Sequence, residues 1–182
     1  DIFPAEARVE NCVFWQNEAG GQADAAGNPV NGGGAIWNNK AAISMGYCTV
    51  YENSVTGAAT PGGGMFTYNA SPVVNSSIFY GNTGNGSVTD QQIYTLAVET
   101  SGSVTDVSYS DVEGGYAAGV AGPNINADPL FIGTAPDFWL DPAASPCVDT
   151  GDPSNPAPDR DLPGVPRPYT PGGTVDMGAY EY

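Results

Sequence analysis

Histidine is absent from the 182 residues, and positive charge is scarce: three arginines and one lysine, Lys40, face twenty acidic residues, for a net charge of −16. The missing imidazole removes the commonest general base and metal ligand at neutral pH, and with them His-based triads and most zinc sites. The shortage of cations argues against phosphate backbones and anionic membrane surfaces as partners. Divalent cations and basic partners remain compatible with it. No apolar run reaches the roughly 18 residues that a spanning helix needs, so membrane insertion is not expected. Cysteine is sparse too. Cys12, Cys48 and Cys147 fall in no Cys-x-x-Cys spacing, and an odd count leaves at least one thiol free or intermolecular. The first residue is Asp1, with no signal-like apolar run after it, as expected of a mature or excised piece.

What the chain has instead is glycine and proline, 25 and 16 residues, among many Asn, Ser and Thr. This composition reads as short strands joined by turns. Two phrases repeat. "GGGAIWNN" (32–39) is followed by "GGGMFTYN" (62–69), and "NCVFWQN" (11–17) by "YCTVYEN" (47–53) and "SSIFYGN" (76–82). In the second set an apolar residue (Phe14, Val50, Phe79) stands three positions before an asparagine (Asn17, Asn53, Asn82). Strand periodicity puts Cys12, Cys48 and Ser77 on the same face as Phe14, Val50 and Phe79, with Trp15, Tyr51 and Tyr80 on the other. The asparagines are 36 and then 29 residues apart. Residues 18–31, Gly/Ala/Asn-rich and without periodicity, read as a loop insertion in the longer interval. Removing it leaves a repeat of roughly 22 to 30 residues, the size of a solenoid coil.

Helical solenoids do not fit segments this short, glycine-bounded and rich in β-branched and aromatic residues. Stacked rungs of short strands, about 4.8 Å apart, do. Such stacking lines up the asparagines for side-chain hydrogen bonding and places glycines at corners that need positive φ or close approach. Phe14, Val50 and Phe79 are expected inside on consecutive coils, and Cys12 and Cys48 as neighbours, either disulfide-bonded or as a thiol ladder.

These motifs resemble the Gly-Gly-Ala-Ile and Phe-x-x-Asn repeats of polymorphic outer-membrane proteins, which are right-handed parallel β-helices of the pectin-lyase-like class. "YSDVEGG" (109–115), "NINADPLF" (124–131), "SPCVDTGD" (145–152) and "GGTVDMGAYEY" (172–182) resemble the C-terminal coils of surface proteins that end in an anchor segment. The resemblance implies an all-β, single-stranded right-handed parallel β-helix of about five coils. Coils would occupy 1–144 and a proline-rich closing segment 145–182, with "TVDMGAYEY" as a last strand. No capping segment precedes "ARVENCVFWQN" and no anchor follows Tyr182, so the expectation is a fragment or a first coil covered by something else.

Fold does not fix chemistry. Relatives of this class include polysaccharide hydrolases with aspartates and a histidine, and lyases with a basic residue and calcium. Here the only proton-abstracting candidates are Lys40, Arg8, Arg160 and Arg167. A carboxylate pair would suffice for a glycosidase, but twenty acids make pairs by chance. The segment "DTGDPSNPAPDRDLPG" offers Asp149, Asp152, Asp159 and Asp161 as ligands for Ca2+; the competing reading is an Asp/Pro/Gly turn whose carboxylates cap backbone amides. The outward strip Trp15, Tyr51 and Tyr80 is either a sugar platform or a face covered by a loop, by residues 18–31 or by another subunit. Asn69, Asn75 and Asn85 begin glycosylation sequons. No catalytic residue is assigned.

The expectation is a non-catalytic extracellular or cell-surface module, structural or adhesive, able to associate end to end or by strand addition into filaments. The rival is a carbohydrate-binding or polysaccharide-degrading fragment, which would bring carboxylates and Lys40 together in one groove.

Overall fold

A computed structural model describes residues 6–57, 60–99, 102–116, 122–133 and 135–182. Its centre is a parallel β-solenoid of about three turns, built from three sheets. Sheet I stacks Glu6–Glu10, Ala42–Gly46, Val73–Asn75 and Asp106–Ser108. Sheet II stacks Val13–Trp15, Thr49–Tyr51, Ile78–Tyr80 and Asp111–Val112, and sheet III stacks Ile36–Asn39, Met65–Tyr68 and Ile93–Leu96. The chain visits I, II and III in turn, then starts a fourth circuit that ends after Val112. All these pairings are parallel and in register.

Strand alternation sends a column of apolar residues inward from each sheet. Val9, Met45, Val74 and Val107 stack from sheet I, Phe14, Val50, Phe79 and Val112 from sheet II, and Ile36, Met65 and Ile93 from sheet III. Val50, Phe79, Val74 and Met65 are fully buried. The Phe/Val-x-x-Asn spacing therefore reports the core correctly.

Each bend takes a single left-handed residue. Between sheets I and II these are Asn11, Tyr47, Ser76 and Tyr109, with φ of 47° to 54°. After sheet II come Gln16, Glu52 and Gly81, and between III and I come Lys40 and Asn69. Such conformations cost roughly 1–2 kcal/mol per non-glycine residue. Stacking compensates, because the bend amides bond to the next coil: Asn11 N–H to the Gly46 carbonyl at 3.3 Å, Tyr47 N–H to Asn75 at 3.2 Å and Ser76 N–H to Ser108 at 3.2 Å.

The predicted asparagine ladder is present. Asn17 Nδ2 donates to Asn53 Oδ1 at 2.8 Å, Asn53 Nδ2 to Asn82 Oδ1 at 2.9 Å, and Asn82 Nδ2 to Gln92 Oε1 at 2.7 Å. Gln92, from the short helix Val88–Gln92, passes the chain on to Glu113 Oε2 at 3.0 Å. The same oxygens accept the backbone N–H of Asn17 and Asn53. A second column runs Cys12, Cys48, Ser77 and Ser110, where Ser77 Oγ accepts the Cys48 N–H and Ser110 Oγ accepts the Ser77 N–H, both at 3.1 Å. Cys12 and Cys48 are neighbours on adjacent coils, and all three cysteines are free thiols.

Several expectations change. The two glycine phrases do not align letter for letter: Ile36 pairs with Met65, so Gly33 matches Gly62 and Ala35 matches Gly64. The match is set by the bend, since Gly33 and Gly62 both have φ near 80°, at 80° and 78°. Shifting by one would have turned every side chain of sheet III to the wrong face. Gly34 and Gly63 serve close approach; a Cβ on Gly63 would lie 2.2 Å from the Thr83 carbonyl oxygen.

Residues 18–31, read as a loop, contain strand Glu18–Gly20, paired in parallel with Ser54–Thr56, and a small hairpin of Gln22–Ala23 with Pro29–Asn31. Two of the three sequon asparagines are buried, Asn69 at 7% and Asn75 at 8% exposure, which leaves no room for a glycan; Asn85 is exposed.

The five expected coils are three, and "TVDMGAYEY" is not a strand. Twelve of the sixteen prolines lie after Gly122. Prolines lack the N–H that a further ladder rung would need. The chain after the Asp111–Ile125 bridge packs instead on the outside of sheet II. There Phe131, Phe138, Leu140, Met177 and Tyr180 cover the outward row of Trp15, Tyr51 and Tyr80 and the row of Val13 and Ile78. Phe138 lies 6.0 Å from Trp15 and 5.3 Å from Tyr51, ring centre to ring centre. The aromatic strip is thus a second core and not a sugar platform.

Two outcomes are expected. Phe79→Ala should lower unfolding free energy by about 3–5 kcal/mol in chemical denaturation, as a large core truncation does. In the unfolded but unreduced protein, mass measurement after alkylation should find three modified cysteines, and prior reduction should not raise that number.

Candidate functional site

Buried charge concentrates where the C-terminal layer meets the solenoid. Gly178, with φ of 93°, sits so close to sheet II that a Cβ would lie 2.8 Å from Ile78 Cδ1. Its N–H donates to the Ser76 carbonyl at 2.9 Å, and the Ala179 N–H to Thr49 Oγ1 at 3.1 Å. This contact fixes Asp176 and Glu181 on either side. Arg167, fully covered, donates through Nη1 to Glu181 Oε2 at 2.8 Å and through Nη2 to the Gly178 carbonyl at 2.7 Å. Its guanidinium lies 5.1 Å from the centre of the Tyr47 ring. The carboxylates are knotted into backbone: Asp176 accepts the N–H of Asp149 and Tyr182, and Glu181 those of Asp176 and Tyr169.

The four aspartates named as calcium ligands do not converge. Asp152 caps its own turn, accepting the Ser154 N–H at 2.8 Å and hydroxyl at 2.7 Å, and also takes Asn75 Nδ2 at 2.9 Å. Asp161 accepts the N–H of Val165 at 2.5 Å and of Glu181 at 2.9 Å. The Asp149 and Asp159 side chains are exposed. Among the described residues no group of three or more Cys, Asp or Glu side chains is placed to hold a metal ion. The geometry has the form of amide-capping turns.

A polar groove of about 300 Å³ runs along the outer face of sheet I, between Arg8, Glu10, Gly46, Asn75, Asp106 and Ser108 and the turn Asp152–Asn155. It holds three carboxylates, but not as a catalytic pair. Glu10 is bound to Arg8. Asp106 lies on the fourth strand and Glu10 on the first. Asp106 is also two residues off the Glu10 column, so three strand spacings put their backbones more than about 14 Å apart, beyond the roughly 5–9.5 Å at which paired carboxyls act on a glycosidic bond. Asp152 has its pKa lowered by the Ser154 and Asn75 hydrogen bonds, which outweigh burial, the wrong direction for an acid catalyst. Lys40 is elsewhere, at the bend between sheets III and I, paired with Glu99 at 2.5 Å.

Carboxyls with raised pKa do exist, but under the outer layer. Burial pushes Asp111 up to about 6 and Asp176 up to about 7. Both are 0% exposed, and Asp111 accepts Cys147 Sγ at 3.4 Å. Sequence reasoning named only Arg167 of this set, as a proton-abstracting candidate, and did not join it to the others. The members, Tyr47, Asp111, Arg167, Asp176 and Glu181, are scattered along the chain, and the only local signal was the run of prolines that folds the tail back.

Comparison of the chain with protein-family models, with curated proteins and with solved structures finds no match.

The buried carboxyls set a pH dependence. A carboxyl whose folded pKa exceeds its unfolded value is protonated first in the folded state, so stability falls as pH rises from about 4 to 7. The fall from Asp176 alone is up to about 4 kcal/mol. Thermal unfolding should therefore have a higher midpoint at pH 5 than at pH 8, and Asp176→Asn should flatten that difference.

Proposed function

We propose that the chain is a non-catalytic extracellular or cell-surface structural module, a right-handed coil of the pectin-lyase-like surface-protein type, which associates through the end of its solenoid. The observation that carries this reading is where the ionisable groups lie. The acids with raised pKa are sealed beneath the C-terminal layer, and the one lysine is held by Glu99 on an exposed bend. The carboxylates of the sheet I groove are separated or engaged. Acid–base work on a polysaccharide needs these groups together and accessible.

The associating surface is the first coil. Glu6–Glu10, Val13–Trp15 and Ile36–Asn39 each pair on one side only among the described residues. Val9, Cys12, Phe14 and Ile36 close that end of the core while only partly buried. An edge of this kind is a template for another strand, and apolar residues beside it add affinity. Such a contact, repeated head to tail, generates a filament. The net charge of −16 opposes lateral clumping and leaves a specific end contact free to form.

Sedimentation velocity and electron microscopy test the association. Concentration-dependent linear oligomers are expected, and Val9→Lys, which points a charge into the end of the core, should return them to monomers. A chain that stays monomeric at high concentration would sink the filament. Cleavage of a uronate or neutral polysaccharide that is lost in Glu10→Gln or Asp106→Asn would overturn the non-catalytic reading.

A further inference from the structure

The C-terminal layer carries an aromatic pocket of about 270 Å³, lined by Trp139, Val165, Tyr169, Glu181 and Tyr182. Tyr169 and Tyr182 are unusually bare for their size, at 61% and 53% exposure. Their backbones are nevertheless fixed. The Tyr169 N–H is held by Glu181 Oε1 at 3.1 Å and the Tyr182 N–H by Asp176 Oδ2 at 2.7 Å. Trp139 is set by its strand pairing with Ile132 and by the Tyr180 ring, 5.2 Å away. Trp139 is half-buried beside the two tyrosines, and the solenoid does not need the Tyr169 ring exposed.

We propose that this pocket receives a lysine or arginine side chain of a basic partner protein. Aromatic faces attract cations through their quadrupole, most strongly where water is thinned out. The alkyl stem of such a side chain suits the apolar wall of Val165 and Trp139. Charge behind the pocket favours the same occupant: the carboxylates of Asp161 and Glu181 are answered by one guanidinium, Arg167. Glu181 has both oxygens engaged, so it acts through its field and leaves direct contact to the rings. That also disfavours a sugar, which needs several convergent polar groups; the pocket offers only indole and phenol tips. A second copy of this chain, itself at net charge −16 with only four basic residues, is a poor donor of the cation. Arg8 is bound to Glu10, Lys40 to Glu99, Arg160 to the Gly164 carbonyl, and Arg167 is buried. The partner is thus a different and basic chain, drawn in by the strongly negative field.

The inference stands apart from the end-on association, because the pocket lies on the outer layer and not on the first coil. The test uses the indole N–H signals of the 15N-labelled protein, with Trp139 assigned by Trp139→Phe. Acetyl-Gly-Lys-Gly-amide is titrated beside its norleucine counterpart, which keeps the stem and lacks the charge, and beside a neutral gluco-oligosaccharide. A saturable shift of the Trp139 signal is expected with the lysine peptide, about tenfold weaker with norleucine. It should be lost in Tyr169→Ala and Tyr182→Ala and retained in Tyr169→Phe and Tyr182→Phe, with the Trp15 and Trp37 signals unmoved throughout as a check on folding. No shift with the lysine peptide, an equal response to norleucine, or a response only to the sugar would each overturn the proposal.

Discussion

Stacking coils in register is the constraint on which this molecule depends. A parallel rung saturates its neighbour's backbone only if each circuit returns to the same corners, about 4.8 Å further along. Single left-handed residues make those corners, and their amides bond to the coil alongside. The strain is local and the compensation comes from the stack, so one coil by itself would not hold its bends. The asparagine ladder works on the same terms, since Asn17 and Asn53 each find a side-chain partner on the coil beside them.

The sequence is legible where side chains repeat with the coil. Phe14, Val50 and Phe79 and their asparagines repeat because an inward position and a polar corner tolerate few residue types. The bends are nearly invisible. Tyr47, Glu52 and Lys40 adopt positive φ without being the glycine or asparagine that such a conformation favours, because the stacked hydrogen bonds supply what local propensity does not. The glycine blocks mislead by one residue: close approach selects Gly34 and Gly63, positive φ selects Gly33 and Gly62, and three adjacent glycines conceal which is which.

The tail is less legible than the coils. Its Gly- and Pro-rich phrases look like further rungs, yet they lack the alternating apolar pattern that would fill a fourth interior. The row of Trp15, Tyr51 and Tyr80 could be read as a sugar platform or as a covered face, and Phe131, Phe138 and Tyr180 cover it. Of the candidate site, the acidic turn could be read, with Asp152 and Asp161 as amide caps. Arg167, Asp176 and Glu181 could not be joined to Tyr47 from spacing alone, because their meeting depends on the fold-back. With no histidine and four basic residues, the chain has little to neutralise buried acids, which is why protonation serves Asp111 and Asp176 where an ion pair serves Glu181.

The ladder also has a direction. Each ladder bond from Asn17 to Gln92 is donated toward the last coil and accepted by the next side-chain oxygen, so these N–H···O dipoles add along the solenoid axis as peptide dipoles add along a helix. The positive pole falls at Gln92 Nε2, and there Glu113 supplies a carboxylate oxygen at 3.0 Å, as an acid does at a helix N-terminus. The negative pole is Asn17 at the opposite end. The solenoid therefore has an electrical polarity that two-fold pairing of like ends would oppose and a uniform head-to-tail sequence would extend.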